Sequence, residues 1–123
     1  MKLATLKEGG RDGTLVVVNR ELTRAVRADE IAPTMQVALD NWDNVAPRLN
    51  TLSERLNDGA CESAFELSAE MLAAPLPRAY QFVDGSAYLP HVERVRRARG
   101  AEVPESFFTD PLMYQAVSDG FLG

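Results

Sequence analysis

The clearest pattern in the chain lies between residues 33 and 57. Met35, Ala38, Leu39, Trp42, Val45, Ala46, Leu49, Leu52 and Leu56 recur there at three- and four-residue steps. That spacing draws one apolar stripe along an amphipathic helix of about six turns. Pro33 suits the first turn, where its missing amide is not needed. Asp58-Gly59 stops the pattern, with Gly59 placed to take the left-handed conformation beyond the last turn. Pro47 falls inside the stripe, where it removes one backbone donor and crowds the carbonyl four residues earlier. The pattern therefore predicts a kink at Pro47, or two helices meeting near Asn44. Trp42 sits on the apolar side and is expected to be a buried anchor whose truncation to alanine costs about 3–5 kcal/mol.

Before this helix the period shortens to two. KLATL (2–6) reads as a strand with Leu3 and Thr5 on the face opposite Ala4 and Leu6. EGGRDG (8–13) is a turn, TLVVV (14–18) a central strand, and LTRAV (22–26) a third strand after a turn at Asn19-Arg20. So small a meander needs a helix or another sheet to cover it. After the helix, Phe65 and Leu67 suit a short strand, and Ser68 suits the cap of a short helix holding Met71 and Leu72. APLPR (74–78) is extended, because each proline disfavours helix in the residue before it. AYQFV (79–83) reads as a strand that breaks at Asp84-Gly85. Ser86 then caps a helix running to about Arg99, with Pro90 in its early turns and Gly100 ending it. Tyr88, His91 or Val92, Val95 and Ala98 mark its inner face. Residues 101–123 read as another extended region. The fold class is α+β: a small N-terminal β-meander packed with a long helix over residues 1–73, and a second portion over 74–123.

Composition narrows the function classes. At 46% hydrophobic and 25% charged residues, the chain has the make-up of a globular protein rather than a disordered one. Its net charge of -5 gives no electrostatic gain on phosphate backbones, so no nucleic-acid partner is expected. LVVV (15–18) is too short for a signal segment or a membrane span, which leads to a cytoplasmic expectation with no membrane partner. One cysteine, Cys61, excludes a disulfide or a multi-cysteine zinc site within one copy. The basic run Arg94, Arg96, Arg97, Arg99 has two readings. Guanidinium groups receive carboxylates and phosphates through paired donors. The favoured reading is a solvated helix face, since Glu93 and Glu102 flank the run and late-turn cations suit the helix dipole.

Three residues carry candidate chemistry. His91, the one histidine, can take a proton near neutral pH and so act as a general base, or it can be a structural histidine. Asp84 offers carboxylate oxygens to a hard cation, or serves as a cap in the turn before a helix. Tyr88 lies one turn before His91, close enough for both side chains to face one pocket.

Residues 74–100, APLPRAYQFVDGSAYLPHVERVRRARG, resemble the segment that opens the catalytic domain of the fumarylacetoacetate hydrolase superfamily. Leu72-Ala73-Ala74-Pro75-Leu76-Pro77-Arg78 matches that family's proline-rich lead-in, L-x-A-P-[VLI]-P-R. His91 falls on the catalytic base, Tyr88 on the tyrosine of the N-Y-x-x-H version of the motif, and Asp84 on the metal-binding aspartate. The opening MKLATLKEGGRDGTLVVV and the segment PESFFTDPLMYQAVSDGFLG also look like a bacterial subgroup with longer chains.

The resemblance implies that residues 74–123 begin a mixed β-rich catalytic domain. It implies Mg2+ or Ca2+ as cofactor, held by further carboxylates after residue 123, so that this portion alone is not expected to bind it. The implied reaction is hydrolytic carbon–carbon cleavage of fumarylacetoacetate or a related acylpyruvate or β-diketo acid, a small acidic keto-acid substrate. His91 would deprotonate water, and Tyr88 would contact substrate. Hydration, decarboxylation or isomerisation of 2-keto acids on the same scaffold is the alternative. A non-enzymatic interaction module is the reading if the chain is complete. The final Phe121-Leu122-Gly123 brings no closing element, so a front portion of a longer enzyme, inactive by itself, is expected. Uncovered strand edges in such a portion point to a homodimer or a partly ordered tail. Two departures stand out. Ser86 replaces a tyrosine found two residues after the metal aspartate. Ala116-Val117 stand where the subgroup has two glycines in MYQGGSD, which is expected to stiffen a segment near the substrate.

Overall fold

The computed structural model describes residues 1–85, 87–110 and 112–116. Residues 1–79 form one compact unit, and the described residues from Tyr80 onward form a second. The architecture is mixed α+β, as the sequence pattern predicts.

The first unit is built on an antiparallel sheet of four strands in the order β1 (Lys2–Leu6), β2 (Thr14–Val18), β3 (Arg24–Arg27) and β4 (Phe65–Glu66). The β1–β2 turn depends on Gly13, which has φ +68; a Cβ there would collide with the Leu6 carbonyl oxygen and the Thr5 methyl. β2 is buried along its whole length, because the sheet is covered on both faces. Leu15 and Val17 meet Val26, Ala38, Val45, Leu49 and Leu56 on the helix side. Val16 and Val18 meet Leu6 and Ala25 on the other side, closed by Phe65, Leu67 and Leu72. The expected alternation in β1 holds: Leu3 packs on the first cluster, Ala4 and Leu6 on the second. The exposed edge of β1 is occupied by the chain after the short helical turn Ala69–Met71. Lys7 N donates to the Met71 carbonyl and Ala73 N to the Thr5 carbonyl, both at 2.9 Å.

The third strand starts later than LTRAV predicts. Asn19 Oδ1 accepts from the amides of Thr23 and Arg24, both at 2.9 Å. This side-chain turn holds residues 19–23 as a loop and places Leu22 at φ 61, outside the sheet.

The long helix is two helices, α1 (Met35–Asp40) and α2 (Trp42–Asn57), and they meet at Asn41 rather than at Pro47 or Asn44. Asn41 ends the first and starts the second. Its Nδ2 donates to the Val37 carbonyl at 3.1 Å. Its own carbonyl accepts from the amides of Asn44 and Val45. Pro47 stays inside α2, in its second turn, where its missing amide leaves the Asp43 carbonyl without its helical donor. The break also corrects the expectation for Trp42. The indole opens α2 at 39% exposure and is not a buried anchor; Met35, Ala38, Val45, Leu49 and Leu56 fill the core.

The second unit holds a two-stranded antiparallel sheet of β5 (Phe82–Gly85) and β6 (Met113–Ala116), with α3 (Leu89–Ala98) between them in sequence. The strand expected at 79–83 is thus shifted, and Asp84-Gly85 lies inside it instead of breaking it, because both residues pair with β6. α3 starts at Leu89 with Tyr88 as its N-cap, so Tyr88 is not within the helix. Pro90 occupies the first turn, where it removes no helical bond. The expected cap Ser86 and the segment from Val117 to Gly123 lie outside the described residues. Among the described residues no helix is long and apolar enough to cross a membrane.

Candidate functional site

In α3 the apolar residues and the histidine part company. Val92 is 6% exposed and carries the inner face, whereas His91 next to it is exposed. Of the two residues competing for the inner face, the helix turns Val92 inward. His91 instead reaches the wall of a groove of about 300 Å³ shared with Val92, Val95, Arg96, Arg99, Phe107, Leu112 and Tyr114. Three elements supply that wall: α3, a short helical turn Glu105–Phe108, and the start of β6.

The sheet register brings Asp84 to the same neighbourhood. Asp84 pairs directly with Tyr114. Residues directly opposite in an antiparallel pair project from the same face. Asp84 therefore shares a sheet face with the tyrosine that lines the histidine's groove. Tyr88 does not join them: it is 74% exposed, is not on the groove wall, and uses its backbone carbonyl to accept from the amides of His91 and Val92. Both Asp84 and Tyr88 are exposed, so neither sits in a closed pocket.

Among the described residues no three His, Cys, Asp or Glu side chains gather closely enough to hold a metal ion. Asp84 is one hard oxygen donor, and a Mg2+ or Ca2+ site needs several. The described residues by themselves do not make such a site.

The structure adds residues that the sequence reading set aside. Of the four arginines in α3 and just after it, Arg96 and Arg99 line the groove. Arg96 is half-buried, with its guanidinium carbon 5.0 Å from the centre of the Phe107 ring. Arg94 and Arg97 are exposed and off the groove wall. A solvated face therefore describes only part of the basic run. The signal that would have separated them is helical spacing: Val92, Arg96 and Arg99 follow one another at four- and three-residue steps on the side of α3 that Val92 buries.

The proline-rich lead-in has its own role in the first unit. Thr5 Oγ1 donates to the Pro75 carbonyl at 2.7 Å. Arg78 forms a two-pronged ion pair with Asp12 in the β1–β2 turn, its Nε 2.7 Å from Oδ1 and a terminal nitrogen on Oδ2. The hydrogen bond from Arg78 holds the Asp12 carboxyl below its ordinary range, and Asp12 in turn holds the Arg78 guanidinium above its own. The prolines and the arginine together fix the course of residues 74–78 along the first unit. A second ion pair, Arg27 with Glu8, ties the same turn to the end of β3.

A larger groove of about 880 Å³ lies in the first unit, walled by the loop after β3, α2 and residues 60–63. It contains none of the residues singled out for chemistry. Cys61 lies on its wall but is 7% exposed and packs into the helix-side core, in keeping with a structural thiol.

No curated protein matches the sequence. Residues 1–78, more than half of the chain, match the family model described as fumarylacetoacetase N-terminal domain 2, and the chain belongs to that family.

Proposed function

We propose that this chain carries the base-bearing portion of a fumarylacetoacetase-type hydrolase that cleaves a carbon–carbon bond in an acylpyruvate or related β-diketo acid. The observation that supports this most is the groove in which His91 shares a wall with Arg96, Arg99 and Tyr114. It combines a proton acceptor with donors suited to an anionic substrate.

The roles follow from the chemistry of each group. The guanidinium groups of Arg96 and Arg99 draw in a carboxylate, and the Tyr114 hydroxyl donates to a substrate oxygen. Val92, Val95 and Leu112 give the groove its apolar lining. His91 removes a proton from a water molecule beside the seated substrate, and the resulting hydroxide attacks the carbonyl. The bond to the neighbouring carbon then breaks, and that carbon leaves as a resonance-stabilised enolate. Tyr88, exposed at the start of the same helix and off the groove wall, takes no part in this step. Asp84 would be one ligand of a divalent cation, which would serve to polarise the carbonyl under attack.

Product analysis tests the reading. The full gene product, incubated with an acylpyruvate and Mg2+, is expected to release two carboxylic acids, with the activity lost on treatment with a chelator and restored by Mg2+ or Ca2+. A hydrated or decarboxylated product retaining the original carbon–carbon bond would replace hydrolysis with a sister reaction. Absence of any turnover across acylpyruvates would remove the enzymatic reading.

A further inference from the structure

We propose that the end of the four-stranded sheet beside Leu22 is a docking surface for an extended segment of another protein, one that carries an apolar side chain followed by acidic residues. The surface uses none of the residues of the His91 groove and stands independently of the hydrolase reading.

Leu22 has φ 61, a left-handed conformation that strains an L side chain. Asn19 imposes it. The buried Asn19 side chain accepts from the Thr23 and Arg24 amides and donates to the Glu21 carboxylate and the Thr23 hydroxyl. The Leu22 amide donates to the Asn19 carbonyl. From outside the loop, Lys2 Nζ donates to the Arg20 carbonyl at 2.7 Å, and the Arg20 amide donates to Asn57 Oδ1 at 2.9 Å. The loop is therefore held from several directions, and Leu22 is left 59% exposed. Glycine would relieve the strain and a polar residue would suit the solvent, yet an apolar side chain is displayed. Strain that its surroundings over-determine concentrates at sites that bind.

The recesses around Leu22 define the partner's chemistry. Leu22 lines an apolar recess of about 340 Å³ together with Ala4, Val18, Leu67 and Leu72. A second recess of about 300 Å³ carries Lys2, Arg20, Asn50 and Asn57, with Glu54 as the carboxylate on its wall. The two share Lys2 and Val18, which pair directly at the end of the β1–β2 ladder. Among the described residues neither Lys2 nor Arg20 has a carboxylate within ion-pair distance. The sheet end is thus apolar in one recess and cationic and amide-lined in the next. Charge complementarity calls for a negative group close to an apolar one. Two recesses in succession suit an extended chain, whose side chains enter them a few residues apart, better than one compact ligand.

Backbone amide resonances of the isotope-labelled 123-residue chain are followed by NMR during titration with the peptide acetyl-Leu-Ala-Asp-Glu-amide. The expected result is a saturable shift of Lys2, Leu22 and Leu72. Replacing the peptide's leucine by alanine is expected to weaken binding by at least about tenfold, the loss of one buried apolar side chain. Replacing its two acids by Asn and Gln, or introducing Arg20→Gln in the protein, is expected to weaken binding about two- to fivefold, as for exposed ion pairs. Leu22→Gly is expected to weaken it by at least about tenfold while the thermal midpoint holds or rises, since glycine adopts φ 61 without strain. A Leu22 that served the fold alone would not separate binding from stability in this way. No shift at millimolar peptide overturns the proposal, as does equal binding of the uncharged peptide or undiminished binding by Leu22→Gly. Shifts of the same residues on raising the protein concentration alone would make the occupant a second copy of this chain. An equal response to octanoate would make it a small amphiphile. Either of these results replaces the peptide partner and overturns the proposal.

Discussion

Arg78 and Asp12 show how single residues tie the family's lead-in to its fold. The sequence marks Arg78 only as the last letter of a proline-rich motif. In the structure its fork closes on Asp12, a turn residue far away in sequence. Nothing in local spacing announces such a partner, because it is created by the hairpin that brings the turn to residues 74–78. The pair has a defined pH signature. Asp12 has a folded pKa below the unfolded value, chiefly through the hydrogen bond from Arg78. Its contribution is therefore fully present above the unfolded carboxylate range and is lost as pH falls through the lower, folded value. Both side chains are partly exposed, so screening keeps the contribution small. Thermal unfolding followed from neutral to acidic pH is expected to show a slightly shallower acid limb for Asp12→Asn than for the parent. Identical slopes would show that the pair adds nothing to folding. His91 and Val92 make a second point at this scale. Periodicity allows either residue on the inner face, and packing settles the choice for Val92, which frees the histidine to face a groove.

At the scale of elements, strands and helices were legible where the pattern was long. β1 and β2 lie where alternation and the glycine-rich turn place them. The stripe over residues 33–57 is helical nearly throughout. Its break was less legible, since a proline is a conspicuous signal and an asparagine that both ends and starts a helix is not. The register of β5 was missed for a related reason. Asp84-Gly85 resembles a turn locally, but pairing with Tyr114 and Met113 extends it into the sheet. The break at Asn41 has an energetic consequence. Leu49 is fully buried in the middle of α2, while Trp42 is left half-exposed at its start. In urea unfolding, Leu49→Ala is expected to cost about 2–5 kcal/mol. Trp42→Ala is expected to cost less than about 2 kcal/mol, because much of its surface already meets water. A larger loss for Trp42 than for Leu49 would contradict the packing described here.

Across the molecule, the two units bring different kinds of support to one account. The first carries the family match, a sheet buried on both faces and an anchored lead-in. The second carries the histidine, the aspartate on a neighbouring strand and the arginine-lined groove. The sequence pointed to His91 and Asp84 through a motif. It did not single out Arg96, because the four- and three-residue steps from Val92 to Arg96 and Arg99 carry weight only once Val92, and not His91, is the buried residue. The groove's chemistry belongs to the assembled second unit and to no single stretch of sequence. The most direct test of the account is the steady-state hydrolysis of an acylpyruvate by the full gene product with His91→Asn. Asparagine keeps the polarity and approximate size of the imidazole but cannot accept the proton. With His91 as the general base, kcat is expected to fall by about 10²–10⁴-fold, the usual contribution of such a group, with KM little changed. A variant that retains kcat within a few fold of the parent would contradict the assignment of His91 as the base.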